Sequence, residues 1–160
     1  MNIKSKNLKE FKSIAKKFID TIIKYGPKKS EATIVGLYGD LGVGKTTFTQ
    51  EVAKNLGIKR IVNSPTFVIM KSYSIPDKTC YGVGKLKAKN YKLFYHIDAY
   101  RLKNEKELEK LGWKDLISNP KNLIFVEWPE NVKKAMPKKH HKVLISHVKE
   151  GHRKFKIKSI

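Results

Sequence analysis

The chain carries one cysteine, Cys80, in 160 residues, so no disulfide can close within it. A reducing cytoplasm is the expected compartment. Long apolar runs are also missing. The longest, IVGLY and LIFV, fall far short of the roughly 20 residues that a membrane helix needs. Lysines interrupt the N-terminal stretch MNIKSKNLKEFKSIAKKF wherever a signal peptide would need its apolar centre, so no membrane association is expected. Acids are few, 14 against 35 lysines and arginines, for a formal net charge of +21. Arginine is scarcer still, limited to Arg60, Arg101 and Arg153. So positive a surface attracts polyanions in general. Clamps on phosphate and readers of bases favour arginine's bidentate fork, however, and a coding bias towards A and T accounts for abundant lysine equally well. The five histidines, His96, His140, His141, His147 and His152, show neither paired-cysteine nor H-E-x-x-H spacing, which argues against a zinc site. His140 and His141 lie in a lysine-rich stretch and are expected to be solvated.

What is present reads as one α/β domain over residues 1–160. Leu8, Phe11, Ile14, Ala15, Phe18, Ile19 and Ile22 recur at helical steps and predict an amphipathic helix. ATIVGLYG predicts a buried strand, and a second helix runs from Thr46 with Phe48, Val52 and Leu56 on one face and Gly57 as its stop. A strand around Phe67 to Tyr73 and the strand LFYHI would enclose a basic insertion, about 77–92, read as a hairpin tip or loop. Asn104 is placed to cap a short helix, with Glu107 in capping-box spacing. LIFVEW predicts another buried strand, stopped by Pro129. The alternating tail HKVLISHVKEGHRKFKIKSI predicts two edge strands.

Gly39 and Gly44-Lys45-Thr46 satisfy G-x-x-x-x-G-K-[ST], between a strand and a helix as the motif requires. Glycines let the backbone turn its N–H groups inward on phosphate oxygens, and the helix start adds its dipole. Lys45 reaches the β- and γ-phosphates, and the Thr46 hydroxyl suits Mg²⁺. Two acids close apolar strands, Asp98 after LFYHI and Glu127 after LIFV. At the C-terminal ends of parallel strands they would lie beside the phosphates, where either suits Mg²⁺, directly or through water, or the orientation of an attacking water. In NSPTF, Pro65 stiffens a turn and Thr66 is placed as a γ-phosphate sensor of the switch-loop kind.

A GTPase would need N-K-x-D and D-x-x-G, which are lacking, and an ABC-type ATPase a far longer chain and a serine-glycine signature. The ordered set GDLGVGKTTF, NSPTF, YHIDAYRL with ELEKLG, and VEWPE resembles the TsaE (YjeE) family over about residues 31–157. These are small P-loop ATPases of bacterial threonylcarbamoyladenosine tRNA modification. The resemblance implies an α/β, P-loop NTPase-like fold with a mainly parallel central sheet, flanking helices and antiparallel edge strands. It implies slow Mg²⁺-dependent ATP hydrolysis that resets a TsaB–TsaD complex, which modifies the adenosine beside the anticodon; tRNA is then met indirectly, or directly through the basic surface.

By the same resemblance Gly42, Val43, Gly44, Lys45, Thr46 and Thr47 would cradle the phosphates, and Thr46 and Glu127 would hold Mg²⁺. Asp98 would act near the metal and the attacking water, Lys45 on the phosphates, and Thr66 as the γ-phosphate-responsive position. Trp128 would be a nucleotide contact or a core aromatic. Tyr100 and Arg101, with Glu107 to Gly112, match a surface thought to couple the nucleotide to partners. The chain departs from the family in its long basic insertion and in the tail Gly151-His152-Arg153, which makes a base contact by Arg153 doubtful. Two other classes fit the bare residues: a basic nucleic-acid-binding module with a regulatory nucleotide site, and a small-molecule kinase, against which the missing arginine-bearing lid argues.

Overall fold

The computed structural model describes residues 1–27, 30–60, 62–77, 80–81, 86–87 and 90–160. A short strand, β1 (Asn2–Ser5), leads into α1 (Leu8–Tyr25). Asn7 caps this helix by accepting from the Glu10 backbone N–H at 2.9 Å, and Gly26 closes it at φ 69°. One helix face, Phe11, Ile14, Ala15, Phe18, Ile19, Ile22 and Ile23, is buried, whereas Leu8 at the start is exposed. Next come β2 (Thr33–Tyr38), α2 (Lys45–Asn55), β3 (Met70–Ser74), the short pair β4 (Cys80–Tyr81) and β5 (Leu86–Lys87), and β6 (Leu93–Asp98). Two short helices, α3 (Glu105–Glu109) and α4 (Trp113–Ser118), precede β7 (Asn122–Glu127), and β8 (His141–Lys149) and β9 (His152–Lys158) end the chain.

The main sheet runs β1-β9-β8-β2-β7-β6-β3. The central neighbours β8, β2, β7 and β6 are parallel, and antiparallel strands flank them on both sides. Helices α1 and α2 cover one face, over Leu37, Phe94, Phe125, Val143, Ile145 and Phe155. The other face of the central strands packs Ile34, Ile97, Ile124 and Val126 against Leu108, Trp113, Val132 and Met136. Buried on both faces, β2 and β7 read as unbroken apolar runs, which is how a central parallel strand differs from an alternating one.

Three expectations need correction. The tail strands β8 and β9 are interior, because β1 pairs with β9 and becomes the edge itself; NIKS is too short and polar to signal a strand without that partner. The strand expected from Phe67 begins at Met70, because the backbone N–H groups of Val68 and Ile69 both bond to the Pro65 carbonyl and make a turn that leaves Phe67 and Val68 exposed. His140 is buried, its Nε2 2.8 Å from the Tyr38 hydroxyl and its Nδ1 2.6 Å from the Pro137 carbonyl. Helix α4 had no forecast. Of the basic insertion, the antiparallel β4–β5 pair is described; most of the rest lies outside the described residues.

Candidate nucleotide-binding site

Strands β2, β7 and β6 end side by side, with Leu37 in register with Glu127 and Glu127 with Asp98. The chain leaving β2 turns through Gly39–Gly44 into α2, whose first residue is Lys45. Gly39 has φ +126°, and a Cβ there would stand 2.1 Å from the Ile145 carbonyl oxygen, so no other residue fits. Phe94, His96 and Asp98 alternate onto the face covered by α1 and α2, and Glu127 shares it with Leu123 and Phe125. The two acids therefore point at the start of α2.

Their hydrogen bonds are specific. Glu127 is buried; its Oε2 accepts from the Thr46 hydroxyl at 3.1 Å, and its Oε1 lies 2.7 Å from Nε2 of fully buried His96. A carboxylate only accepts, so His96 Nε2 carries the hydrogen. Among the described residues, buried His96 Nδ1 has no hydrogen-bond partner. Asp98 Oδ2 accepts from the Thr66 hydroxyl at 2.5 Å and the Ser64 hydroxyl at 3.0 Å, and Oδ1 from the Tyr100 backbone N–H at 3.0 Å.

Lys45 donates to the carbonyls of Gly39 at 2.5 Å and Asp40 at 2.9 Å, and its ammonium stands 3.6 Å from the centre of the Trp128 ring. Burial lowers its pKa, opposed by the charges of Glu127, Glu130, Asp98 and Asp40. Trp128 reaches that position from a left-handed backbone, φ 57° and ψ 46°, a strained conformation for a bulky residue. Its ring also packs on Tyr100 at 5.1 Å between centroids.

These groups line one cleft of about 330 Å³, bounded by Gly42, Gly44, Lys45, Thr46, Thr47, Ser64, Thr66, Asp98, Glu127 and Trp128, with Leu41 and Tyr100. A second recess of about 210 Å³ adjoins it through Gly42, Gly44 and Thr47 and extends to Asn7, Phe11 and Arg153. Arg153 bonds the loop backbone, its Nε donating to the Val43 carbonyl at 3.0 Å. Val43 itself is fully buried. A larger recess, about 450 Å³, lies at the opposite end of β2 between α1 and the chain end, and is mostly apolar. The chemistry is concentrated in the first cleft.

Of the expected site residues, all but Val43 line this cleft, and Val43 lines the adjoining recess. Sequence reasoning missed Ser64 and His96. The available signal was the period of two, which sets His96 on the face of Asp98. The donor set fits Mg²⁺: a hydroxyl and a carboxylate oxygen, hard ligands few enough to leave positions for phosphate. Among the described residues no three His, Cys, Asp or Glu side chains form an all-protein cage, and Mg²⁺ held with phosphates does not need one.

The family model described as threonylcarbamoyl adenosine biosynthesis protein TsaE matches residues 5–155. The tRNA threonylcarbamoyladenosine biosynthesis protein TsaE of Bacillus subtilis is 38% identical over 120 residues, covering 75% of this chain and 65% of that protein. Its counterpart from Rickettsia bellii is 36% identical over 129 residues, covering 80% of this chain and 74% of its own. The chain thus spans about two thirds of the length of the Bacillus relative that it matches. A crystal structure of Bacillus subtilis YdiB superposes with a TM-score of 0.69 at 26% identity, covering 100% of this chain and 85% of that one. With a strand–glycine loop–helix cradle, two carboxylates at neighbouring strand ends and a family match along nearly its whole length, the chain belongs to the TsaE family.

Proposed function

We propose that this protein binds ATP with Mg²⁺, hydrolyses it slowly, and thereby resets a TsaB–TsaD assembly that adds a threonylcarbamoyl group to the adenosine beside the anticodon of tRNA. Family membership supports the pathway. The observation that carries the ATPase reading is the meeting of Lys45, Thr46, Thr66, Asp98 and Glu127 in one cleft at the start of α2.

Each residue has a role that follows from its surroundings. Backbone N–H groups from Gly42 to Thr47 bind phosphate oxygens, helped by the positive end of α2. Lys45 exchanges the carbonyls of Gly39 and Asp40 for phosphate oxygens, and the Trp128 ring keeps its ammonium over the cleft. Thr46 and Glu127 hold Mg²⁺, which supplies charge neutralisation on the β- and γ-phosphates when bound. His96 is a positioning residue: gripping Oε1 turns Oε2 of Glu127 towards Thr46. Asp98 ties the loop of Ser64 and Thr66 to β6 through Oδ2, while Oδ1 keeps a lone pair with which to orient a water. Thr66 responds to the γ-phosphate by exchanging its bond to Asp98.

The mouth of the cleft supports a protein partner there. Leu41, Phe67, Val68 and Tyr100 are large apolar side chains exposed around it, with the Arg101 guanidinium 4.5 Å from the centre of the Phe67 ring. Movement of Thr66 would carry Phe67 and Val68 with it, coupling nucleotide state to the partner.

The test is ATP turnover by the purified protein, alone and with its host's TsaB–TsaD pair and substrate tRNA, beside Lys45→Ala. Expected are turnover that changes with the pair and repeated rounds of tRNA modification only with intact Lys45. Turnover indifferent to the pair overturns the partnership, and nucleotide binding that survives Lys45→Ala overturns the site.

A further inference from the structure

The wing of the sheet formed by β8, β9 and β1 is covered on one face only. Val143, Ile145, Phe155 and Ile157 point into the core under α1 and α2. The opposite face carries Lys142 and Leu144 of β8, Lys154, Lys156 and Lys158 of β9, and Asn2 and Lys4 of β1, all exposed. Strand register sets Lys142 directly across from Lys158 and Lys4 across from Lys154, with Lys156 between Asn2 and Leu144. Like charges directly opposite each other weaken a sheet. A face that needed only to be solvated would be served by threonine or by alternating acid and lysine. Here β1, β8 and β9 contain no acid, and none of the five lysines forms an ion pair with a described residue.

Lysine on an edge strand guards against edge-to-edge pairing. That accounts for Lys4 alone, since β8 and β9 are interior strands. Between them runs a trough of about 270 Å³ lined by Tyr38, Lys142, Leu144, Lys156 and Lys158. The Tyr38 ring is fixed at its side, stacked on His140 at 6.3 Å between centroids and 22° between planes.

We propose that this lysine-bearing sheet face binds the phosphate backbone of an RNA. The face suits neither a protein nor a membrane as well. The trough's one aliphatic side chain, Leu144, offers neither the anchor that a protein interface centres on nor the apolar area that membrane insertion needs, and lysine is depleted at protein interfaces. Lysines are point charges without a fork, so they hold backbone phosphates and leave sequence unread. The choice of RNA over DNA rests on family membership; the surface itself is independent of the ATPase reading.

The experiment is fluorescence anisotropy of a labelled tRNA transcript, titrated with the full chain between about 50 and 200 mM salt. The face variant is Lys142→Gln/Lys156→Gln/Lys158→Gln. The control, Lys9→Gln/Lys17→Gln/Lys24→Gln, removes the same charge from the exposed side of α1. At roughly 0.7–0.9 log units per phosphate contact, the face variant flattens the slope of log affinity on log salt by about 2 to 3, and the control leaves it unchanged. Calorimetric ATP binding by the face variant matches the parent, which separates failure of this surface from failure of the nucleotide site. Equal effects of the two triple variants, or no salt-dependent binding by the parent, overturn the proposal. So does equal competition by a DNA duplex, or retention on phosphatidylserine vesicles that the transcript does not displace.

Discussion

The Glu127 carboxylate has both oxygens engaged, one by His96 and the other by Thr46, so its orientation is set before any ligand arrives. Supporting partners of metal-binding carboxylates are commonly worth 10–100-fold in metal affinity. His96→Leu is therefore expected to raise the Mg²⁺ dissociation constant of the nucleotide complex by at least about tenfold, with metal-free nucleotide binding unchanged in calorimetry. His96→Gln, which restores an N–H donor, should recover most of the loss. A structural role alone would lower both binding reactions together, and equal behaviour of Leu and Gln would remove the positioning role. The difference between residues found and missed has a physical basis. The phosphate cradle is local in sequence, so its spacing betrays it. The His96–Glu127 contact joins residues 31 apart on neighbouring strands, and only the β6–β7 register brings them together.

Among the elements, the loop between β2 and α2 separates two kinds of glycine. At Gly42, φ +76°, an added Cβ meets nothing within 4 Å, so Gly42→Ala costs about 1–2 kcal/mol of backbone strain and no more. At Gly39 the strain is joined by a clash with the Ile145 backbone, a rigid neighbour in β8. Urea unfolding should rank Gly39→Ala well below Gly42→Ala in stability; equal midpoints would show that the loop or β8 yields. The helices here were legible because α1 and α2 display apolar residues at three- and four-residue steps. Phe67-Val68-Ile69 was not, because three bulky apolar residues read as strand. The turn comes from the Pro65 carbonyl taking two backbone N–H groups and from Ile69 adopting φ 64°, against the propensity of a β-branched residue. Strain of that kind is invisible in composition and sits one turn from Thr66, where the proposed switch needs it.

For the molecule as a whole, with a formal net charge of +21, further protons are unwelcome, and His140 is where one would matter most. Its Nδ1 faces the Pro137 carbonyl and so carries the hydrogen, leaving Nε2 to accept from the Tyr38 hydroxyl. Burial raises the Tyr38 pKa, helped by Glu130, so the phenol stays a donor. Burial also lowers the His140 pKa, with Lys142 adding to the effect and the Pro137 bond opposing it. The unfolded chain, with histidine near 6.5, then takes up its proton before the folded one does. Stability from this group is complete above about pH 6.5 and is lost as pH falls below it towards the lower folded pKa. The melting temperature should accordingly fall between about pH 7.5 and 5.5. His140→Gln keeps a polar side chain with no proton to gain, so it should melt lower at neutral pH and show a smaller fall. Because His140 stacks under Tyr38 beside the lysine face, the same protonation adds positive charge at the trough while loosening one of its walls. A parent and variant with the same pH dependence would remove this role of His140.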